Sequence, residues 1–191
     1  YPCPEQSLFL GIRQLRPGHF LKFERNTIEI QKYWELSFHG HEVQSSLDQT
    51  AELRRLLFSA VQRRLVGNAK KAIALSGGID SASILAVASE LTDVSLPCYT
   101  VRFDDATYDE SPIAEKTASH FGQPFKAVHV SQMDLLDALE DAVWMGESLA
   151  INGQLSAKYL LSKQMKADGI KVVLSGEGAD EAFLGYPHFK Q

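Results

Sequence analysis

Cysteine is scarce in this chain: Cys3 and Cys98 are the only two in 191 residues. So few, so far apart, they supply neither a disulfide framework nor a metal-ligand pair. A reducing cytoplasm is the compartment that suits them. The histidines His19, His39, His41, His120, His129 and His188 show no ligand spacing either. Positive charge is short as well: 19 Lys and Arg face 24 Asp and Glu, a net charge of −5. That balance argues against a general nucleic-acid surface, which would be basic. No apolar run nears the ~20 residues of a membrane span. The opening Tyr1-Pro2-Cys3-Pro4 has neither the charged start nor the apolar core of a secretory leader. Repeats, low-complexity tracts and long charge runs are missing too. With 45% apolar residues, the chain can bury a full core as one main domain.

What is present is a pair of matching segments. Ala72-Ile73-Ala74-Leu75-Ser76-Gly77-Gly78-Ile79-Asp80-Ser81 and Val172-Val173-Leu174-Ser175-Gly176-Glu177-Gly178-Ala179-Asp180-Glu181 are each a short apolar run that breaks into Ser-Gly. The run suits a buried strand. Glycine after it lets backbone N–H groups approach a ligand without Cβ interference, and the following helix start favours an anion. Two such loops at the carboxyl ends of parallel strands can meet in one crevice. Carboxylates Asp80, Glu177 and Asp180 beside a phosphate chain would call for a divalent cation. The pattern predicts a nucleotide site. No Gly-Lys-[Ser/Thr] closes either loop, so a Walker-type P-loop is excluded.

Around these loops the chain alternates strand and helix patterns. Residues 20–24 and 28–33 alternate about Arg25-Asn26-Thr27, as a hairpin does. An amphipathic helix runs from about residue 44 to Leu65, ended by Gly67-Asn68. Strands are expected over 72–76, 97–103, 126–130 and 171–175. Helices are expected over 81–91, 112–121, 132–145 and 154–167, with a last one opening near 179. Ser111-Pro112 reads as an N-cap followed by a proline at the first helical position. His120, before Gly122, reads as a C-terminal helix residue. The fold class expected is α/β with a parallel, doubly wound sheet and a short extended N-terminal piece.

The first loop resembles the pyrophosphate loop, Ser-Gly-Gly-x-Asp-Ser, of the ATP-pyrophosphatase superfamily, whose fold is adenine-nucleotide-α-hydrolase-like. The second, with Gly185-Tyr186, resembles the Ser-Gly-Glu-Gly-[Ala/Ser]-Asp-Glu-x-x-x-Gly-Tyr signature of glutamine-hydrolysing asparagine synthetases. Phe103-Asp104-Asp105, Tyr108-Asp109-Glu110-Ser111, the opening Gly11-Ile12-Arg13-Gln14-Leu15-Arg16-Pro17-Gly18-His19, and Tyr33-Trp34 are similar to the same family, in its order. The resemblance implies that residues 1–40 are the end of a glutaminase domain and its linker, and 41–191 a C-terminally truncated synthetase domain. Cys3 cannot be the glutaminase nucleophile, because that cysteine must carry its own free α-amine and Tyr1-Pro2 precede it. None of Lys158, Lys163, Lys166 or Lys190 matches the motif of the family's late catalytic lysine.

By the same resemblance, Ser76, Gly77, Gly78 and Ser81 cradle the β,γ-phosphates of ATP, and Ser175 and Gly176 contact ATP through the backbone. Ala74, Leu75 and Val101 line the adenine pocket. Asp80 and Asp180 are the expected Mg²⁺ ligands, the alternative for each being helix capping. Glu177 is the expected catalytic residue, serving the attacking nitrogen; related β-lactam synthetases place tyrosine there. Its alternative is a carboxylate held at a helix approach. Asp109 and Glu110 are read as structural charges before a helix. The segment 146–156, where the family binds aspartate, shares only Glu147 plainly. The activity implied is ATP-dependent amide synthesis, adenylating a carboxylate, in first place the aspartate side chain, for attack by ammonia from glutamine. Amide, macrolactam or β-lactam-type synthesis on another acid stays open, as does a non-catalytic ATP-binding module. Partners are small molecules, with no nucleic acid or membrane and with homodimerisation left open.

Overall fold

A computed structural model describes residues 5–7, 9–37 and 46–186. Cys3, His39, His41, His188 and Lys190, named above, lie outside the described residues, as do residues 44 and 45 of the first expected helix. The chain divides into two compact units, Tyr1–Ser45 and Ser46–Gln191.

The first unit holds an antiparallel hairpin of β1 (His19–Glu24) and β2 (Thr27–Lys32). Glu24 pairs with Thr27, so the turn is the two residues Arg25-Asn26, one shorter than the sequence suggests. Both have positive φ, 49° and 65°, the combination that matches the twist of paired strands. Gly18 has φ +70°, and its carbonyl accepts from the Tyr33 and Trp34 N–H groups at 2.8 and 3.2 Å, closing the hairpin's base.

The second unit carries the α/β pattern. Its elements are α1 (Ser46–Leu65), β3 (Lys71–Ala74), α2 (Ile79–Leu91), β4 (Cys98–Phe103), α3 (Ser111–His120) and β5 (Phe125–Val130). After these come α4 (Gln132–Asp137), α5 (Leu139–Gly146), α6 (Gln154–Ala167), β6 (Val172–Leu174) and α7 (Ala179–Phe183). The four strands β3–β6 form one parallel sheet in the order β5-β4-β3-β6. The chain steps outward from β3 to β5, then returns across to set β6 on the other side of β3. That reversal is the topological switch point, where a crevice opens at the strand ends.

Alternation along β3 distributes the core to both faces. Ile73 and Leu75 join Val61, Leu85, Ala88, Ala114, Ala118 and Leu174 on the side of α1, α2 and α3. Ala72 and Ala74 face Tyr99, Leu161, Met165 and Ile170 on the α6 side. A sheet covered on both faces needs near-continuous apolar strands, and β3 and β6 are of that kind.

Two expectations need correction. The helix read over 132–145 is two helices meeting at Ala138, which has φ −84° and ψ −6°. A capping box of Ser131 and Asp134 starts α4. No glycine or proline marks the break, so the sequence does not announce it. Ser111 is not the N-cap of α3 but its first residue, fully buried; Glu110 holds the cap position. The Ser111 hydroxyl accepts from Arg102 Nε at 2.8 Å, and its N–H donates to the Asp109 carboxylate at 3.0 Å. Asp109 therefore has the structural role read for it.

Asp168, at the end of α6, ties that helix to the sheet. It accepts from Tyr99 Oη at 2.8 Å, from Lys126 Nζ at 2.7 Å and from Gln164 Nε2 at 3.1 Å. The bonds from Lys126, then Tyr99, hold its carboxyl below the ordinary aspartate range, whereas burial, helped by Asp168, pushes Tyr99 up to about 12. A depressed carboxyl stabilises the fold above its unfolded pKa of about 3.9 and loses that contribution as pH falls through the folded value. Asp168→Asn should therefore lower the urea midpoint at pH 7, with the gap to wild type narrowing below about pH 4. A gap independent of pH would place the effect in packing rather than charge.

Candidate active site

A cleft of about 730 Å³ opens at the carboxyl ends of β3, β4 and β6. Its walls come from both Ser-Gly loops, the end of β4, the turn before α3, one face of α6 and the start of α7. Of the residues expected to form the site, Ala74, Leu75, Ser76, Gly78, Asp80, Ser81, Val101, Ser175, Gly176, Glu177 and Asp180 all line it. Gly77 sits just behind, with its N–H turned to Glu110.

The first loop is braced by its two serines. Ser81 is 4% exposed; its hydroxyl accepts from the Ser76 N–H at 3.0 Å, lies 2.9 Å from Ser76 Oγ, and donates to the Gly78 carbonyl at 3.2 Å. Ser76 Oγ in turn accepts from the Gly78 N–H at 3.1 Å. Gly78 begins α2 in an extended conformation with no side-chain cap, so the helix start faces the cleft without a capping oxygen of its own. Such a start suits an anion.

The two loops touch through their backbones. β3 and β6 pair directly, Ile73 beside Leu174, so the chains leave the sheet as neighbours. A Cβ on Gly176 would fall 2.7 Å from the Ser81 nitrogen and 2.9 Å from the Asp80 carbonyl carbon. No side chain fits there. This contact sets Ser175, Gly176 and Glu177 against the start of α2.

The electrostatics are lopsided. Asp80, Glu110, Glu177, Asp180 and Glu181 line the cleft, and Lys158 is the one lysine or arginine among its described lining residues. Lys158 Nζ lies 2.9 Å from Glu177 Oε1, with both side chains largely exposed. Tyr186 Oη donates to Glu181 Oε1 at 2.7 Å, which holds Glu181 low. That bond pushes Tyr186 up to about 12, with the charges of Asp180 and Glu177 adding to the rise.

Two residues of this cleft escaped the sequence reading. Glu110 does not bond its own helix; its carboxylate crosses to accept from the Gly77 N–H at 2.9 Å. Lys158 matches no motif. Its usable signal is helical spacing: Gln154, Ala157, Lys158, Leu161, Ser162 and Met165 form one face of α6, and that face lines the cleft.

The family model for asparagine synthase matches residues 52–191. Among curated proteins, the amidase chyE of Penicillium rubens is 34% identical over 97% of this chain and 30% of its own length. Glutamine-hydrolyzing asparagine synthetase 3 of Bacillus subtilis is 32% identical over 97% of this chain and 32% of its own length. The chain thus spans about a third of the length of these relatives. Among solved structures, the U34-tRNA thiolase NcsA from Methanococcus maripaludis superposes with a TM-score of 0.52 at 16% identity, covering 72% of this chain and 52% of that one. At that identity the likeness is one of fold, the parallel α/β architecture.

Gly176→Ala should force the two loops apart. Overpacking of this kind costs about 1–3 kcal/mol, and titration calorimetry should show ATP binding weakened beyond what the loss of stability explains. An alanine variant that binds ATP as wild type does would show that the close approach is unnecessary.

Proposed function

This chain belongs to the asparagine synthase family, and from that premise we propose that it is the adenylating part of an ATP-dependent amide synthetase. The observation that carries the proposal is the meeting of both Ser-Gly loops at the β3/β6 switch point, with carboxylates on each. The N–H groups of Ser76, Gly77 and Gly78, which here donate to Ser81, Glu110 and Ser76 Oγ, would turn with the serine hydroxyls to the β,γ-phosphates when ATP binds. Ala74, Leu75 and Val101 flank adenine, and Ser175 and Gly176 meet ATP from the second loop. Mg²⁺ needs only one or two carboxylates beside substrate phosphates, and Asp80 and Asp180, both on the cleft wall, would hold it. The ion would offset the repulsion between this acidic cleft and the departing pyrophosphate.

In the reaction, an oxygen of the acceptor carboxylate attacks the α-phosphorus and pyrophosphate leaves. Ammonia then adds to the acyl carbonyl, AMP departs with the carboxylate oxygen, and the nitrogen sheds a proton. Glu177 receives that proton. Holding reactants in line and neutralising charge supply most of the first step. The acceptor placed first is the aspartate side chain, with ammonia derived from glutamine by a glutaminase domain of which residues 1–40 are the end. Amide formation on a different acid is the second reading. It is favoured by the divergence of 146–156 and by the similarity to the amidase of Penicillium rubens. No helix among the described residues is long and apolar enough to cross a membrane, and a cytoplasmic enzyme is the setting we assign.

Glu177→Gln in the full-length protein separates the two half-reactions. Acid-dependent exchange of labelled pyrophosphate into ATP should persist, while amide release falls by about 10²–10⁴-fold, the usual loss for a general base. If both activities drop together, Glu177 organises the loop; if neither changes, it is a bystander. Either result removes the base from the mechanism.

A further inference from the structure

Two N–H donors of the first loop are held from within it, Ser76 by Ser81 and Gly78 by Ser76 Oγ. The donor between them is held from outside. The Glu110 carboxylate accepts from the Gly77 N–H at 2.9 Å, and its side chain lies against the glycine. A Cβ on Gly77 would fall 3.2 Å from the Glu110 Cβ and 3.5 Å from its Cγ and Cδ. Ser76 and Gly78 are exposed and line the cleft, whereas Gly77 is half-buried and Glu110 lines the cleft in its place. A carboxylate thus covers one of the donors assigned above to phosphate.

Capping does not explain this contact. Glu110 stands at the cap position of α3 without a side-chain bond to that helix, and the Ser111 N–H donates to Asp109 at 3.0 Å. The carboxylate is left to reach the loop. A hydrogen bond to an ionised acceptor is among the stronger ones, and it gives the empty loop what a phosphate would supply, an anionic oxygen.

We propose that Glu110 is an internal competitor for the phosphate chain, holding the Gly77 N–H until the β,γ-phosphates displace it and returning as pyrophosphate leaves. This rests on the adenylation reading above and adds to it a means of product release. In the empty protein the carboxylate keeps the Gly77 N–H aimed at an oxygen, so the donor is set before ATP arrives. After the acid has taken the α-phosphorus, the same carboxylate competes with the pyrophosphate left in the loop. Any ligand that places an oxygen at Gly77 must first break this bond. AMP, which has no β- or γ-phosphate, need not. Glu110 exchanges neither a proton nor a covalent bond with the substrate; its role is positioning and release.

The test is calorimetry on the full-length protein with ATP, pyrophosphate and AMP, with magnesium and in excess chelator. Glu110→Gln keeps the shape and leaves a neutral acceptor. It should tighten ATP and pyrophosphate by about 5–10-fold, the difference between a charged and a neutral hydrogen-bond partner. The gain should appear in both conditions, with AMP binding as in wild type. Glu110→Asp keeps the charge, falls one methylene short of Gly77 and suits a helix start; it should tighten ATP and pyrophosphate too. Weaker ATP binding in the folded variants would overturn the proposal. A loss with magnesium alone would make Glu110 a metal ligand, and a loss in both conditions a brace of the loop. Equal tightening of AMP would also overturn it, reducing the effect to the overall charge of the cleft, as would Glu110→Asp binding like wild type. Acid-dependent pyrophosphate exchange with binding indifferent to Glu110 would sink this inference and leave adenylation standing. Wild type that binds neither ATP nor pyrophosphate would remove both.

Discussion

The backbone contact between Gly176 and the start of α2 is what the site depends on. β3 and β6 are adjacent only because the chain, after stepping outward through β4 and β5, comes back on the other side of β3. Their carboxyl ends then emerge side by side, and a missing Cβ at Gly176 lets one loop rest on the Ser81 nitrogen and the Asp80 carbonyl carbon of the other. Everything chemical follows from that approach. It puts Glu177 and Asp180 within the same cleft as Asp80, and it gives the first loop, stiffened by the Ser76–Ser81 bonds, a wall to work against. α6 closes the third side, tied to β4 and β5 through Asp168.

Charge decides what such a cleft can hold. Five carboxylates facing one lysine make a poor site for a bare anion. They make a reasonable one for a phosphate chain accompanied by a divalent cation, which cancels charge on both partners. Glu110 belongs to the same economy of charge, its carboxylate resting on the Gly77 N–H, a donor of the kind that receives phosphate oxygen.

Most of the fold was legible because its signals are local. Apolar runs ending in Ser-Gly, a proline near a helix start and glycines after helix ends each act within a few residues. The parallel sheet and both loops follow from them, and the hairpin turn is one residue shorter than its sequence suggests. What stayed hidden is set by tertiary geometry. Glu110 precedes a helix, so its charge read as a helix-start feature; only the folded chain brings it to Gly77. Ser111 looked like a cap from its proline, but Asp109 accepts its N–H and Arg102 takes its hydroxyl. The α4–α5 break at Ala138 has no Gly or Pro behind it. Lys158 carries no motif, and its place in the cleft comes from the packing of α6 against the sheet.

The central claim is that the acid attacks the α-phosphorus and activates itself as an adenylate. Oxygen transfer tests this directly. With the acceptor carboxylate labelled with ¹⁸O, turnover of the full-length protein on unlabelled ATP should place one labelled oxygen in each AMP formed, read by mass spectrometry, with pyrophosphate unlabelled. ADP and labelled inorganic phosphate would mean attack at the terminal phosphorus, and unlabelled AMP would mean hydrolysis uncoupled from the acid. Either would contradict the chemistry assigned to the two loops.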